Sequence, residues 1–136
     1  MPDFARDPSD WLRRYSPAEW IRAALGELSR AEQAWALDQG RAALAGCKRA
    51  AGMALNAALI VDPNPAWGRS YLEHLGALTY DSRAPRAVGE ACSIVLRARA
   101  VSPQVVDKAY DVIAHAWFVV QRSERAQLTS RPPAGG

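Results

Sequence analysis

Lysine is nearly missing from this chain: it supplies 2 of the 17 basic residues, arginine the other 15, against 14 acids. The resulting net charge of +3 permits an anionic partner without demanding one, since a dedicated nucleic-acid binder clusters its charge. The nearest thing to a cluster is Arg83, Arg86, Arg97 and Arg99, and as a solvated face that set is ordinary. Cysteine is scarce too. Cys47 and Cys92 are far apart with no CxxC pair, so they make no zinc set. Both fall on apolar helix faces, where buried free thiols in a reducing cytoplasm are expected, with a disulfide as the alternative. A Gly-rich phosphate loop, the repeated Glu-x-x-His pairs of a di-iron bundle, an alternating strand pattern and a solenoid-period repeat are all lacking. No cofactor or metal is therefore expected. The opening MPDFARDPSD has no apolar h-region, so no targeting segment is expected.

What is present is hydrophobic and helical. Apolar residues make up 49% of 136 residues, enough for one domain with a real core. The most apolar stretch is Arg41 to Val61, RAALAGCKRAAGMALNAALIV, with Arg41, Lys48, Arg49 and Asn56 as its main polar positions. It is rich in alanine and free of proline, which favours helix. Lys48, Arg49 and Asn56 interrupt it too closely for a bilayer span to be expected. A helix apolar around most of its circumference needs neighbours on several sides, and Gly46 and Gly52 let them come close. It predicts the central helix of a bundle.

Around it the chain divides in order. Ser16-Pro17-Ala18-Glu19 is a capping box with proline at the first helical position, and an apolar stripe from Trp20 reaches Trp35. Asp38-Gln39-Gly40 predicts a turn with Gly40 as the left-handed cap, and a connection this short predicts antiparallel packing. Asp62-Pro63-Asn64-Pro65 ends the central helix. A short helix follows to Leu78, starting at Gly68 or Ser70, with Ser70 and Glu73 as a second capping box. Helices from Arg86 to near Ala100 and from Ser102-Pro103 onward complete the set. The expected fold is all-α, an up-and-down four-helix bundle with one short extra helix. Residues 1–15 form an N-terminal extension, 16–126 the bundle and 127–136 a disordered tail.

Only His74 and His115 titrate near neutrality among the side chains. His115 follows Asp111 by one helical turn, beside Gln104, Asp107 and Lys108. That pattern suits half a metal site or an acid–base pair, and equally a surface ion pair, the reading favoured because no second cluster completes a ligand set. His74 lies five residues after Arg69. An arginine and a histidine close together can cleave RNA without a metal, the imidazole moving a proton while the guanidinium steadies the phosphorane. In a continuous helix that spacing sets the two side chains about 140° apart, and Glu73 offers Arg69 an ordinary i, i+4 partner. With Ser70 as cap, Arg69 precedes the helix and can swing toward His74. The alternative, and the reading favoured, is a structural His74 packed beneath Trp67 and Leu78, since Leu78 shares its helix face and Trp67 sits just ahead of the helix. The surplus tryptophans Trp11, Trp35 and Trp67 are candidates either for a partner surface or for simple packing.

The segments Glu19-Trp20-Ile21-Arg22-Ala23-Ala24, Ala50 to Ile60 and Tyr71-Leu72-Glu73-His74-Leu75, in this order, resemble the HEPN domains over about Ser16 to Arg122. The resemblance implies an all-helical, usually dimeric domain, a homodimer here. It also implies a metal-independent endoribonuclease or nucleotide-associated toxin component, partnered by a small nucleotidyltransferase, with RNA or a nucleotide as ligand. The family includes inactive partners as well, so a dimeric protein-interaction module is the alternative. Carried over by position, Arg69 and His74 are the catalytic pair, with Ser70, Tyr71 and Glu73 as binding residues beside them. The chain departs from the family at Gly52, Met53 and Asn56, where the central helix commonly carries a Glu-Lys pair and a further Lys.

Overall fold

The computed structural model describes residues 12–64, 67–68 and 70–130, and every described regular element is helical. A 3-10 turn at Leu12–Arg14 precedes five helices: α1 (Pro17–Ala36), α2 (Gly40–Val61), α3 (Tyr71–Thr79), α4 (Arg86–Arg97) and α5 (Pro103–Ser130). The all-α class stands.

Helix α1 starts as its sequence dictates. The Ser16 hydroxyl accepts from the Glu19 amide and the Glu19 carboxylate accepts from the Ser16 amide, which satisfies two otherwise orphaned donors. The Trp20 indole then donates to the Leu12 carbonyl at 2.7 Å and pins the preceding turn. The α1–α2 turn differs from expectation. Gly40 is already the first residue of α2, and Asp38 takes the left-handed conformation with φ of 59°. Aspartate is among the few non-glycine residues that visit this region readily.

Helix α2 is the core. Its 22 residues are long and apolar enough to cross a membrane by length and composition, contrary to the expectation from its interruptions. Here the apolar surface is spent inside the bundle instead: Ala43, Cys47, Ala50, Ala51, Ala54, Leu55, Ala57, Ala58 and Leu59 are all buried. Two of its glycines permit close approach. A Cβ on Gly46 would sit 2.9 Å from the Ala31 Cβ of α1, and one on Gly52 would sit 2.7 Å from the Tyr71 Cα of α3. Gly46 facing Ala31, and Arg49 bonded to Glu27, set α1 and α2 antiparallel. Gly52 facing Tyr71, and Asn56 bonded to His74, set α3 parallel to α2. Helix α3 therefore begins beside the middle of α2, back from the α2 end at Val61.

At the far end, α5 continues to Ser130, past Gln127 where the chain was expected to leave helix. The last stretch, Arg125 to Leu128, is exposed.

Candidate functional site

The predicted site residues lie around the start of α3, and the structure sends them in different directions. Arg69 lies outside the described residues. Ser70 caps α3, its hydroxyl accepting from the Glu73 amide at 3.0 Å. The reciprocal bond expected of a capping box is not made among the described residues, because the Glu73 side chain lies over Gly68, whose φ of +72° brings the backbone there. Tyr71 packs across Gly52 and is half buried, and burial pushes its hydroxyl pKa up.

His74 points inward and has no exposed surface. Its Nδ1 lies 2.9 Å from the Trp67 carbonyl and its Nε2 2.9 Å from the Asn56 side-chain oxygen. A carbonyl can only accept, so Nδ1 carries a proton. In the neutral ring Nε2 must then accept, which calls for the Asn56 amide turned by 180° with its NH2 on His74. The unturned amide leaves Asn56 Nδ2 buried without a hydrogen-bond partner. Burial holds the pKa of His74 below its ordinary value of 6.5, against the upward pull of the Trp67 carbonyl and Glu73, which favours that neutral form. The imidazole thus ties α3, α2 and the Trp67 loop together, with both nitrogens engaged.

The other candidates resolve as follows. Trp67 is buried, its carbonyl taken by His74 and its indole 6.3 Å from the imidazole, so it packs the core instead of marking a partner surface. Trp35 is half buried against the same core, and Trp11 lies outside the described residues. Asp111 pairs with Lys108 at 3.5 Å, as a surface pair should, while His115 lines a different cavity from Asp111, so the two do not converge. Arg83 is held by Asp81, Arg86 by Glu90, and Arg97 donates to the Tyr80 hydroxyl at 2.7 Å, so three of the four clustered arginines have local partners. Cys47 and Cys92 are free and buried, and burial pushes the Cys92 thiol up to about 12.

A concave, mostly apolar surface lies between α1 and α5. A groove of about 530 Å³ runs between Ala18, Ile21 and Leu25 on one side and Tyr110, Ile113, Ala114 and Trp117 on the other. Leu25, Tyr110 and Trp117 are 42%, 38% and 37% exposed, and Arg22 and Asp111 sit among them. Tyr110 and Trp117 lie beside α5's core face. The stripe Val106, Ala109, Ile113, Ala116, Val120 already fills that face, which leaves the two aromatics flanking it. No protein-family model, curated protein or solved structure matches the chain.

Proposed function

We propose that the chain is a self-associating interaction module without ribonuclease activity at Arg69 and His74. Its four longer helices form an up-and-down bundle with α3 as the extra helix. The burial of His74 carries this reading. A general acid or base must reach the proton it transfers, and both nitrogens of this ring are committed inside the protein.

The α1–α5 groove supplies the surface, and its occupant is a second copy of the chain. In a two-fold interface the same patch serves both partners, so it must complement itself. Arg22 and Asp111 meet that condition, because the axis brings each Arg22 toward the partner's Asp111 and the reverse. Leu25, Tyr110 and Trp117 supply the apolar and aromatic anchors between them. The resemblance to HEPN domains supports a dimer of more than about 1,000 Å² total buried area. It also supports the setting we propose, an inactive cytoplasmic member that pairs with a small nucleotidyltransferase.

Sedimentation velocity at micromolar concentration tests the dimer. The expected mass is twice the 14.8 kDa of the chain. Arg22→Asp and Asp111→Arg should each weaken association, and together restore it. A monomer at tens of micromolar sinks the dimer, and RNA cleavage that depends on His74 sinks the inactive reading.

A further inference from the structure

A second cavity, about 240 Å³, opens on another face, between the C-terminal end of α2, the turn after α3 and the middle of α5. Its charged groups divide into two sets. On one side Asp81 takes the Arg83 guanidinium through both oxygens, at 3.2 and 3.1 Å, and Asp62 adds its charge to the same arginine. Asp81 is committed there, while the exposed Asp62 makes no ion pair among the described residues. On the α5 side stand His115 and Arg122, one helical face and two turns apart. Among the described residues His115 has no hydrogen-bond partner, and Arg122 has no carboxylate, only the Phe118 ring 5.7 Å from its guanidinium carbon. The pKa of His115 is held below 6.5 by burial and by the Arg122 charge, so these two groups face one space and repel.

Trp67 is 8% exposed, lines the cavity, and carries a buried indole N–H with no hydrogen-bond partner among the described residues. The indole is near enough to Asp81 to lower that carboxyl slightly, without reaching hydrogen-bond geometry. The indole nitrogen itself has almost no accessible surface, so it reports on the cavity and does not bind its contents. Ala58, Leu78 and Val119 make the remaining wall apolar.

We propose that this cavity binds a small organic oxyanion, its charged head between Arg122 and His115 and its apolar body against Ala58, Leu78 and Val119. An anion there removes the like-charge repulsion between the two cations and stabilises the imidazolium, so binding takes up a proton at His115. Neither acid fills this role in the structure: Asp81 is bonded to Arg83, and Asp62 makes no ion pair with Arg122. His74 fixes the site from behind by holding the Trp67 carbonyl.

Titration of the full chain followed by NMR decides the matter, with benzoate and phenyl phosphate as probes, sodium chloride matching ionic strength and benzyl alcohol as neutral control. At least one anion should give saturable shifts of the His115 ring and the Trp67 indole N–H, and should raise the His115 pKa. Which anion does so separates a carboxylate site from a phosphate site. Arg122→Gln, at an exposed position, should weaken the response at least about tenfold, while Arg86→Gln, outside the cavity, should leave it unchanged. Linear shifts with both anions, equal shifts with benzyl alcohol, or equal loss in Arg86→Gln would each overturn the assignment.

Discussion

Replacing His74 with alanine separates a structural imidazole from a catalytic one. The side chain has no exposed surface, so truncation leaves a void in the core and strands the Trp67 carbonyl and the Asn56 amide. A buried polar group without its partner costs about 1–3 kcal/mol, and deleting a buried ring adds a cavity term. Allowing for partial relaxation, His74→Ala should destabilise by about 3–6 kcal/mol. Domains of this kind have about 5–15 kcal/mol in total, so the loss is large. Urea unfolding followed by tryptophan fluorescence should show the midpoint lowered by roughly 2 M or more at an unchanged slope. Asn56→Ala completes a double-mutant cycle, in which the two losses should overlap by about 0.5–3 kcal/mol because they remove one interaction. A catalytic histidine behaves oppositely, losing turnover with little change in stability. A midpoint unchanged in His74→Ala would refute the buried tie outright.

Four further outcomes follow from the same structure. Gly52→Ala should destabilise by about 1–3 kcal/mol despite alanine's better helix propensity, because the new methyl meets the Tyr71 backbone and α3 must shift; thermal melting checks it. Stability should fall as pH drops below about 6.5, because burial lowers the pKa of both His74 and His115 and the unfolded chain then binds more protons than the folded one; above that range these groups contribute no slope, and urea midpoints across pH 5 to 8 test the sign. Leu25→Asp should give a monomer with an unchanged helical circular dichroism spectrum, since the side chain is 42% exposed in the groove. Native Cys92 should resist thiol reagents at pH 8 and react only as fast as the chain opens, because its thiol is pushed up to about 12 and fully buried.

The helices were legible, and the starts of α1, α3 and α5 especially, because these three are encoded locally. Ser16, Ser70 and Ser102 all cap the helices they precede, and the proline-containing breaks separate α2 from α3 and α3 from α4. The left-handed position moved from Gly40 to Asp38 because both residues tolerate that conformation, and sequence alone does not rank them. The burial of His74 against Trp67 was legible; its polar bond to Asn56 was the miss, and a signal for it existed. Asn56 is a lone amide in an otherwise apolar stretch of α2, and a buried amide needs a partner. What sequence could not supply was the parallel placement of α3 beside α2, which brings a residue 18 positions away to Asn56. Likewise, periodicity showed that α5 has a broad apolar face, but not which edge of it α1 leaves uncovered.

The bond from His74 to the Trp67 carbonyl has a consequence for how the folded chain opens. Because α3 and the Trp67 loop share one imidazole, and that imidazole also bonds to α2, detaching either alone strands a buried polar group, which couples their opening. The Trp67 amide, which donates to the Asn64 carbonyl, and the interior amides of α3 should therefore exchange with deuterium at one common opening free energy. Progressive fraying inward from Thr79 would show a gradient instead. A single cooperative patch of this kind, peeling from α2 while the α1–α2 hairpin stays closed, would bare Gly52 and Asn56 together, making the middle of the most apolar helix the first interior surface the protein shows to solvent.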